Sequence, residues 1–350
     1  MIDFDRIPRE RLPALLCTMP KAELHIHVEG SLEPELMFKL AARHGVALPY
    51  ANVEALRSAY DFADLQSFLD LYYAGAAVLR TEADFFDLAL AYLERAAADN
   101  VVHAEIFFDP QTHTERGVPI DAVILGLAHA CRRAHAEWGL SATLILCFLR
   151  HLSEDAALAT LQAALPWRDH FIGIGLDSSE CGHPPEKFAR AFERARALGL
   201  HVVAHAGEEG PPAYIHSALD VLKVERIDHG VRCLEDPALV KRLARERVPL
   251  TVCPLSNVKL RVFETMARHN LPALLDAGLC ATVNSDDPAY FGGYINANFT
   301  ETFAALPALG ARHAYQLLRN GFEASFVGQA QQRRWIEQLD AVFRDAAAPR

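Results

Sequence analysis

The chain has 350 residues, 51% of them hydrophobic, and a formal net charge of −11. That is enough chain for a large buried core, and it fits one α/β barrel as readily as two smaller domains. The acidic balance, without a basic block or a Lys/Arg stripe, excludes the phosphate neutralisation on which nucleic acid binding rests, and no apolar run approaches the ~18 residues of a membrane helix.

The expected partner is therefore a small molecule, with no nucleic acid and no membrane. Residues 1–20 mix Asp, Arg and Glu with apolar side chains and lack the apolar centre of a signal peptide. The seven cysteines are scattered, and none are spaced as Cys-x-x-Cys. They are expected to be reduced thiols in a cytoplasmic protein.

Short β-type runs lie at 22–27, 101–108, 142–149, 171–176, 201–205, 226–229, 248–252 and 279–283. Amphipathic stretches with apolar residues at three- and four-residue steps fall at 120–138, 154–165, 185–198, 237–246 and 271–277, and Pro opens some of them. Alternation of this kind predicts a parallel sheet, and eight units predict a closed (β/α)8 TIM barrel. An open doubly wound sheet would want a Gly-rich phosphate turn after the first strand, where Gly30 stands alone. Residues 33–99 read as a helical insertion that caps the barrel mouth, and 294–347 as two or three further helices. Without a linker or repeat, 1–350 reads as one domain.

Four polar clusters follow strand-like runs: His25-Ile26-His27, His205-Ala206-Gly207-Glu208, Asp228-His229-Gly230 and Ser285-Asp286-Asp287-Pro288. A barrel places its chemistry at the C-terminal ends of its strands, so all four face one mouth. Residues i and i+2 of a strand point the same way, which lets His25 and His27 grip one ion. With His205 and Asp286 they offer three imidazoles and a carboxylate, a set that suits a catalytic Zn²⁺ with a position left open. Glu208, just past Gly207, is placed as a general acid/base, and His229 as a group that stabilises a metal-bound hydroxide or shuttles its proton. Asp228 is either an orienting partner or a helix cap. Of the adjacent acids Asp286 and Asp287, one ligates the metal and the other faces substrate, a nearby cation removing their repulsion. Glu180 and Glu209 read as surface loop residues. His103-Ala104-Glu105 and His135-Ala136-Glu137 imitate the His-x-Glu of cytidine-type zinc deaminases, but the Pro-Cys-x-x-Cys that completes that signature is absent, and both read as structural.

Together Lys21-Ala22-Glu23-Leu24-His25-Ile26-His27-Val28-Glu29-Gly30-Ser31-Leu32, His205-Ala206-Gly207-Glu208, Asp228-His229-Gly230 and Asn284-Ser285-Asp286-Asp287-Pro288 resemble the signature set of the adenosine and AMP deaminase family, in order and over most of the chain. The resemblance implies a zinc-bearing barrel of the amidohydrolase superfamily. It assigns zinc to His25, His27, His205 and Asp286. It makes Glu208 the proton donor to a purine ring, His229 the residue that orients and deprotonates water, and Asp287 the contact to purine N7.

Two departures narrow the substrate. Adenosine deaminases usually carry an Asp where Glu29 stands, and the longer side chain intrudes on the sugar's space. At strand four, Gly175-Leu176-Asp177-Ser178-Ser179-Glu180 replaces a Gly-containing turn that receives the base edge, and with 285–294 it resembles the adenine deaminase branch. The implied reaction converts the purine base adenine and water to hypoxanthine and ammonia, in purine salvage, with Ser178 and Glu29 at the substrate. A 6-substituted purine nucleoside such as adenosine is the alternative. Strand four has no Lys, which two-metal relatives use as a bridge, so one zinc per chain is expected. A metal-dependent phosphoesterase and a non-catalytic purine-binding protein are the rivals from other classes. Oligomeric state is open.

Overall fold

Eight strands run parallel in chain order: β1 Lys21–His27, β2 Val101–Phe108, β3 Ser141–Leu149, β4 Gly173–Asp177, β5 His201–Ala206, β6 Arg226–His229, β7 Pro249–Val252 and β8 Cys280–Val283. This is a computed structural model, and it describes residues 2–62 and 64–348. Every neighbouring pair from β1 to β8 is hydrogen-bonded. The ring closes at β1 and β8, where His27 N–H donates to Asp286 O (3.0 Å) and Asp286 N–H donates to His25 O (3.1 Å). The architecture is a TIM barrel. β1 is buried at every position and β2 at all but one, because such strands have packed side chains inside and helices outside. β4 begins two residues later than its apolar pattern, since Leu165–His170 is wound as a 3₁₀ turn up to Phe171.

The outer helices include Glu82–Ala98, Ile120–Trp138, Glu154–Ala164, Ala189–Ala197, Pro237–Glu246, Leu271–Asp276 and Ala311–Ala324. The first two pack closely because Gly126 lacks a side chain: a Cβ there would sit 2.4 Å from the Glu82 carbonyl oxygen. Helix Glu82–Ala98 therefore belongs to the ring, although it falls within 33–99. Helices Pro34–His44, Val53–Ser58 and Leu65–Gly75 are the remainder of that insertion. Helices Ile295–Ala305, Ala311–Ala324 and Gln329–Ala347 follow the barrel. All seven cysteines are unpaired, five of them buried. Among the described residues, no helix is long and apolar enough to cross a membrane.

Buried polar groups hold the seam between β1 and β8. Asn284 Oδ1 accepts from Leu24 N–H (2.9 Å), and its Nδ2 donates to Thr282 Oγ1 (2.9 Å). Glu23 accepts from Ser285 N–H (3.0 Å) and from Tyr92 Oη (2.7 Å). Burial pushes the Glu23 carboxyl up to about 7 against these donors. Removing one partner of a buried pair leaves the other unsatisfied, at about 1–3 kcal/mol. Asn284→Ala is therefore expected to lose about 1–3 kcal/mol in denaturant unfolding; unchanged stability would show that the seam does not depend on this amide.

Candidate active site

The C-terminal ends of β1, β5, β6 and β8 bring five polar side chains to one point. His25 Nε2 lies 3.2 Å from Asp286 Oδ1, His27 Nε2 3.5 Å from the same oxygen, and His229 Nε2 3.6 Å from Asp286 Oδ2. His27 Nε2 and His205 Nε2 are 3.1 Å apart. His25, His205, His229 and Asp286 each present a donor atom within 4.8 Å of the other three. His229 thus stands as near the centre as the four expected ligands.

The hydrogen bonds on the far side of each ring decide which nitrogens are free. His25 Nδ1–H donates to Thr251 Oγ1 (2.9 Å), whose own hydroxyl donates to Asp228 Oδ1 (2.8 Å). His205 Nδ1–H donates to the Leu176 carbonyl (3.1 Å). Their Nε2 lone pairs therefore point inward, the pattern by which outer partners orient metal-ligating imidazoles. His25 Nε2 is buried and makes no hydrogen bond, and burial drives His27 down to about 3. A buried group of imidazoles around a carboxylate fits a divalent cation.

His229 is held differently. Leu271 N–H donates to His269 Nδ1 (3.1 Å), so His269 carries its proton on Nε2 and donates to Asn257 Oδ1 (3.2 Å). Asn257 Nδ2 then faces His229 Nδ1 (3.3 Å). His229 accepts there, and its proton sits on Nε2, 3.6 Å from Glu208 Oε2. It is placed to donate toward the centre rather than to ligate. Neither Asn257 nor His269 stands out in the sequence, because neither belongs to a polar cluster.

Glu208 is 4% exposed, and its Oε1 has no partner. Burial, and then the charges of Asp286, Glu209 and Glu180, raise its carboxyl well above the usual range, so it holds a proton to give. Glu180 is no surface residue. It is 1% exposed, and its carboxylate accepts from four successive backbone N–H groups: Gly207 (2.6 Å), Glu208 (3.1 Å), Glu209 (2.9 Å) and Gly210 (2.8 Å). It thereby fixes the loop that carries Glu208. Sequence alone could not locate Glu180, since its partners are main-chain groups about 27–30 residues away.

Asp287 is buried with Oδ1 unpartnered. It has room only because Gly30 lacks a Cβ, which would fall 1.8 Å from that oxygen. Asp286, His229 and Ser178 all adopt positive φ, at 67°, 63° and 72°, conformations that non-Gly residues keep only where the surroundings enforce them.

The cavity beside these groups is small and partly open, with a volume of about 30 Å³. Helix Leu65–Gly75 roofs it with Leu65, Phe68, Leu69, Tyr72 and Tyr73. That stripe has the i, i+3, i+4, i+7 spacing of one helical face. Ser178 lines the cavity but is already engaged: Tyr73 Oη donates to its Oγ (2.9 Å), which faces His151 Nδ1 (2.9 Å). Glu29 departs from its expected place. It does not line the cavity; its Oε1 accepts from Asp109 N–H (3.1 Å) and His113 Nε2 (2.8 Å), behind the wall. Asp109, Asp177 and Tyr72 take the cavity face instead. The two His-x-Glu pairs are apart from this mouth, with Glu105 bonded to His103 and to the buried Arg226 (2.6 Å).

The model of the family described as adenosine deaminase matches residues 20–342. The chain belongs to the adenosine deaminase family. Relatives within it include an adenine deaminase from Geotalea uraniireducens, 67% identical over 98% of this chain and 96% of its own. Another, an adenine deaminase from Albidiferax ferrireducens, is 67% identical over 96% and 97%. The crystal structure of an adenine deaminase from Arthrobacter aurescens superimposes with a TM-score of 0.91 at 52% identity, covering 93% of this chain and 99% of that one. An amidohydrolase from Burkhoderia ambifaria with bound Zn gives 0.88 at 28% identity, covering 96% and 95%.

In this family member the loop after β5 should respond to Glu180. Glu180→Gln halves the carboxylate's capacity to accept from the loop, and outer-shell changes typically cost about 10–100-fold in activity. We expect kcat to fall by that factor with metal content retained. An unchanged kcat would mean the loop is held by other contacts.

Proposed function

We infer that the protein is an adenine deaminase: it hydrolyses adenine to hypoxanthine and ammonia. The observation that carries this is the convergence of a His/Asp cluster able to hold a cation, a buried carboxyl with an unpartnered oxygen (Glu208) and a second unpartnered acid (Asp287) on one small cavity in a chain 67% identical to adenine deaminases. His25, His27, His205 and Asp286 are the residues that would hold Zn²⁺, the ion present in the Burkhoderia amidohydrolase. Bound there, the ion would supply Lewis acidity that brings the pKa of water to about 7.

The chain's own residues account for the remaining steps. Glu208 gives its proton to N1, which makes C6 electron-poor. The oxygen of water bonds to C6, oriented by His229 Nε2–H and by Asp286. Of the two protons on that water, one passes to the exocyclic nitrogen and the other returns to Glu208; the C6–N bond breaks, its electron pair leaves with ammonia, and C6=O forms. Burial and the neighbouring Asp286 raise the Asp287 carboxyl well above its usual range, so it can donate to N7 and fix the ring's register. Such groups act because they are in place before the reaction begins. Asp228 is assigned to orienting His25 through Thr251 rather than to capping a helix.

Glu208→Gln is expected to retain metal and fold while kcat on adenine falls by about 10²–10⁴-fold, the usual weight of a general acid/base; ordinary turnover would remove Glu208 from the proton's path. Elemental analysis should find about one zinc per chain, and a chelator that strips it should lower the melting temperature, since an ion bound only by the folded state stabilises it. Two ions per chain, or no thermal shift, would speak against a single cage. Ammonia release from adenine and adenosine, measured separately, decides the substrate: faster release from adenosine would overturn the assignment.

A further inference from the structure

The wall facing the cation cage carries an acid that the chemistry above does not use. Asp109 follows β2, lines the cavity and is 3% exposed. Tyr72 Oη donates to its Oδ2 (3.2 Å), while its Oδ1 is buried without a partner. It is braced from behind. Arg116 donates to His113 Nδ1 (2.8 Å), His113 Nε2–H donates to Glu29 Oε1 (2.8 Å), and the same oxygen accepts from Asp109 N–H (3.1 Å). With its backbone pinned and one oxygen on Tyr72, Asp109 has its other oxygen unpartnered in the cavity wall, next to the Asp177 carboxyl. Asp177, beside it, lies 3.5 Å from His27 Nδ1 and is placed to orient that ring.

An unpaired carboxylate oxygen in a dry pocket is costly, and a ligand N–H there removes the cost. Resting on the adenine reading, N1 at Glu208 and N7 at Asp287 set C6 toward the cage. The remaining edge, N3 and N9–H, then meets the wall built from the ends of β2 and β4. Free adenine offers one donor on that edge, N9–H. A nucleoside has no hydrogen at N9 and carries a sugar toward the braced Tyr72–Asp109 wall. We propose that Asp109 Oδ1 accepts the N9–H of adenine and is the residue that selects the free base over its nucleoside. Glu29, expected to exclude the sugar by its own length, acts one layer back by holding Asp109.

The test compares kcat/KM for adenine, 9-methyladenine and adenosine on metal-analysed wild type and Asp109→Ala. 9-Methyladenine keeps the reacting edge and removes only the N9 hydrogen. A site built to bond a donor rejects the analogue lacking it strongly, so wild type should prefer adenine over 9-methyladenine by at least about a hundredfold. Asp109→Ala should reduce kcat/KM on adenine by at least about tenfold while 9-methyladenine holds or improves, narrowing the ratio. Equal losses on both substrates would mark Asp109 as structural and overturn the proposal. So would two metal ions in wild type falling to one in the variant, because His27, Asp109 and Asp177 have donor atoms within 4.8 Å of one another and would then be a second cation site. Should the variant not fold, inhibition of wild type by hypoxanthine and by 9-methylhypoxanthine gives the same reading, and less than about tenfold discrimination defeats it. Wild type that prefers adenosine refutes the adenine reading itself, a result distinct from any of these.

Discussion

Closure of the barrel between its first and last strands is the constraint on which the site depends. Two backbone hydrogen bonds join His25 and His27 to Asp286 across that seam, so the main chain brings two imidazoles and the carboxylate together before any side chain is oriented. Asp286 takes a positive φ of 67° to do so. The strain is held by the polar groups beneath it, Glu23 and Asn284, which tie β1 to β8. Ligand geometry and barrel closure are therefore one feature.

Around this centre three of the rings are fixed by partners that do not line the cavity. Thr251 and Asp228 set the ring of His25, Leu176 that of His205, and Asn257 with His269 that of His229. The outcome is a division of labour among chemically identical side chains. His25 and His205 turn lone pairs inward, whereas His229 turns a proton inward. Carboxylates divide in the same way: Glu180 is occupied by four backbone N–H groups, while Glu208 and Asp287 have oxygens left open to the cavity. Burial supplies the rest, since a carboxyl removed from water and set beside Asp286 keeps its proton.

Much of this was legible from residue order. Strand spans agreed closely, because period and apolar run length report β-structure directly, and helices Ile120–Trp138 and Pro237–Glu246 coincide with their apolar patterns. The clusters at strand ends were legible because a barrel sends all such ends to one face. Glu180 was misread as a surface residue of its loop, for its role rests on main-chain donors that leave no mark in the sequence. Glu29 was placed at the substrate because adenosine deaminases usually carry an Asp at that position, but the 3₁₀ turn Glu29–Ser31 and the bond to His113 carry its carboxylate behind the wall. Asp109 went unremarked, since a single Asp before Pro110 reads as an ordinary helix start.

The sequence by itself determined the barrel and that its four polar clusters share one mouth, because these follow from strand periodicity and from the common direction of the strand ends. Only the tertiary structure decided which imidazole turns a lone pair to the centre and which a proton, which acid is a strut and which is open, and that Asp109 rather than Glu29 lines the cavity. Those outcomes depend on hydrogen bonds between residues far apart in the chain and on exclusion of water, and neither exists until the strands have closed.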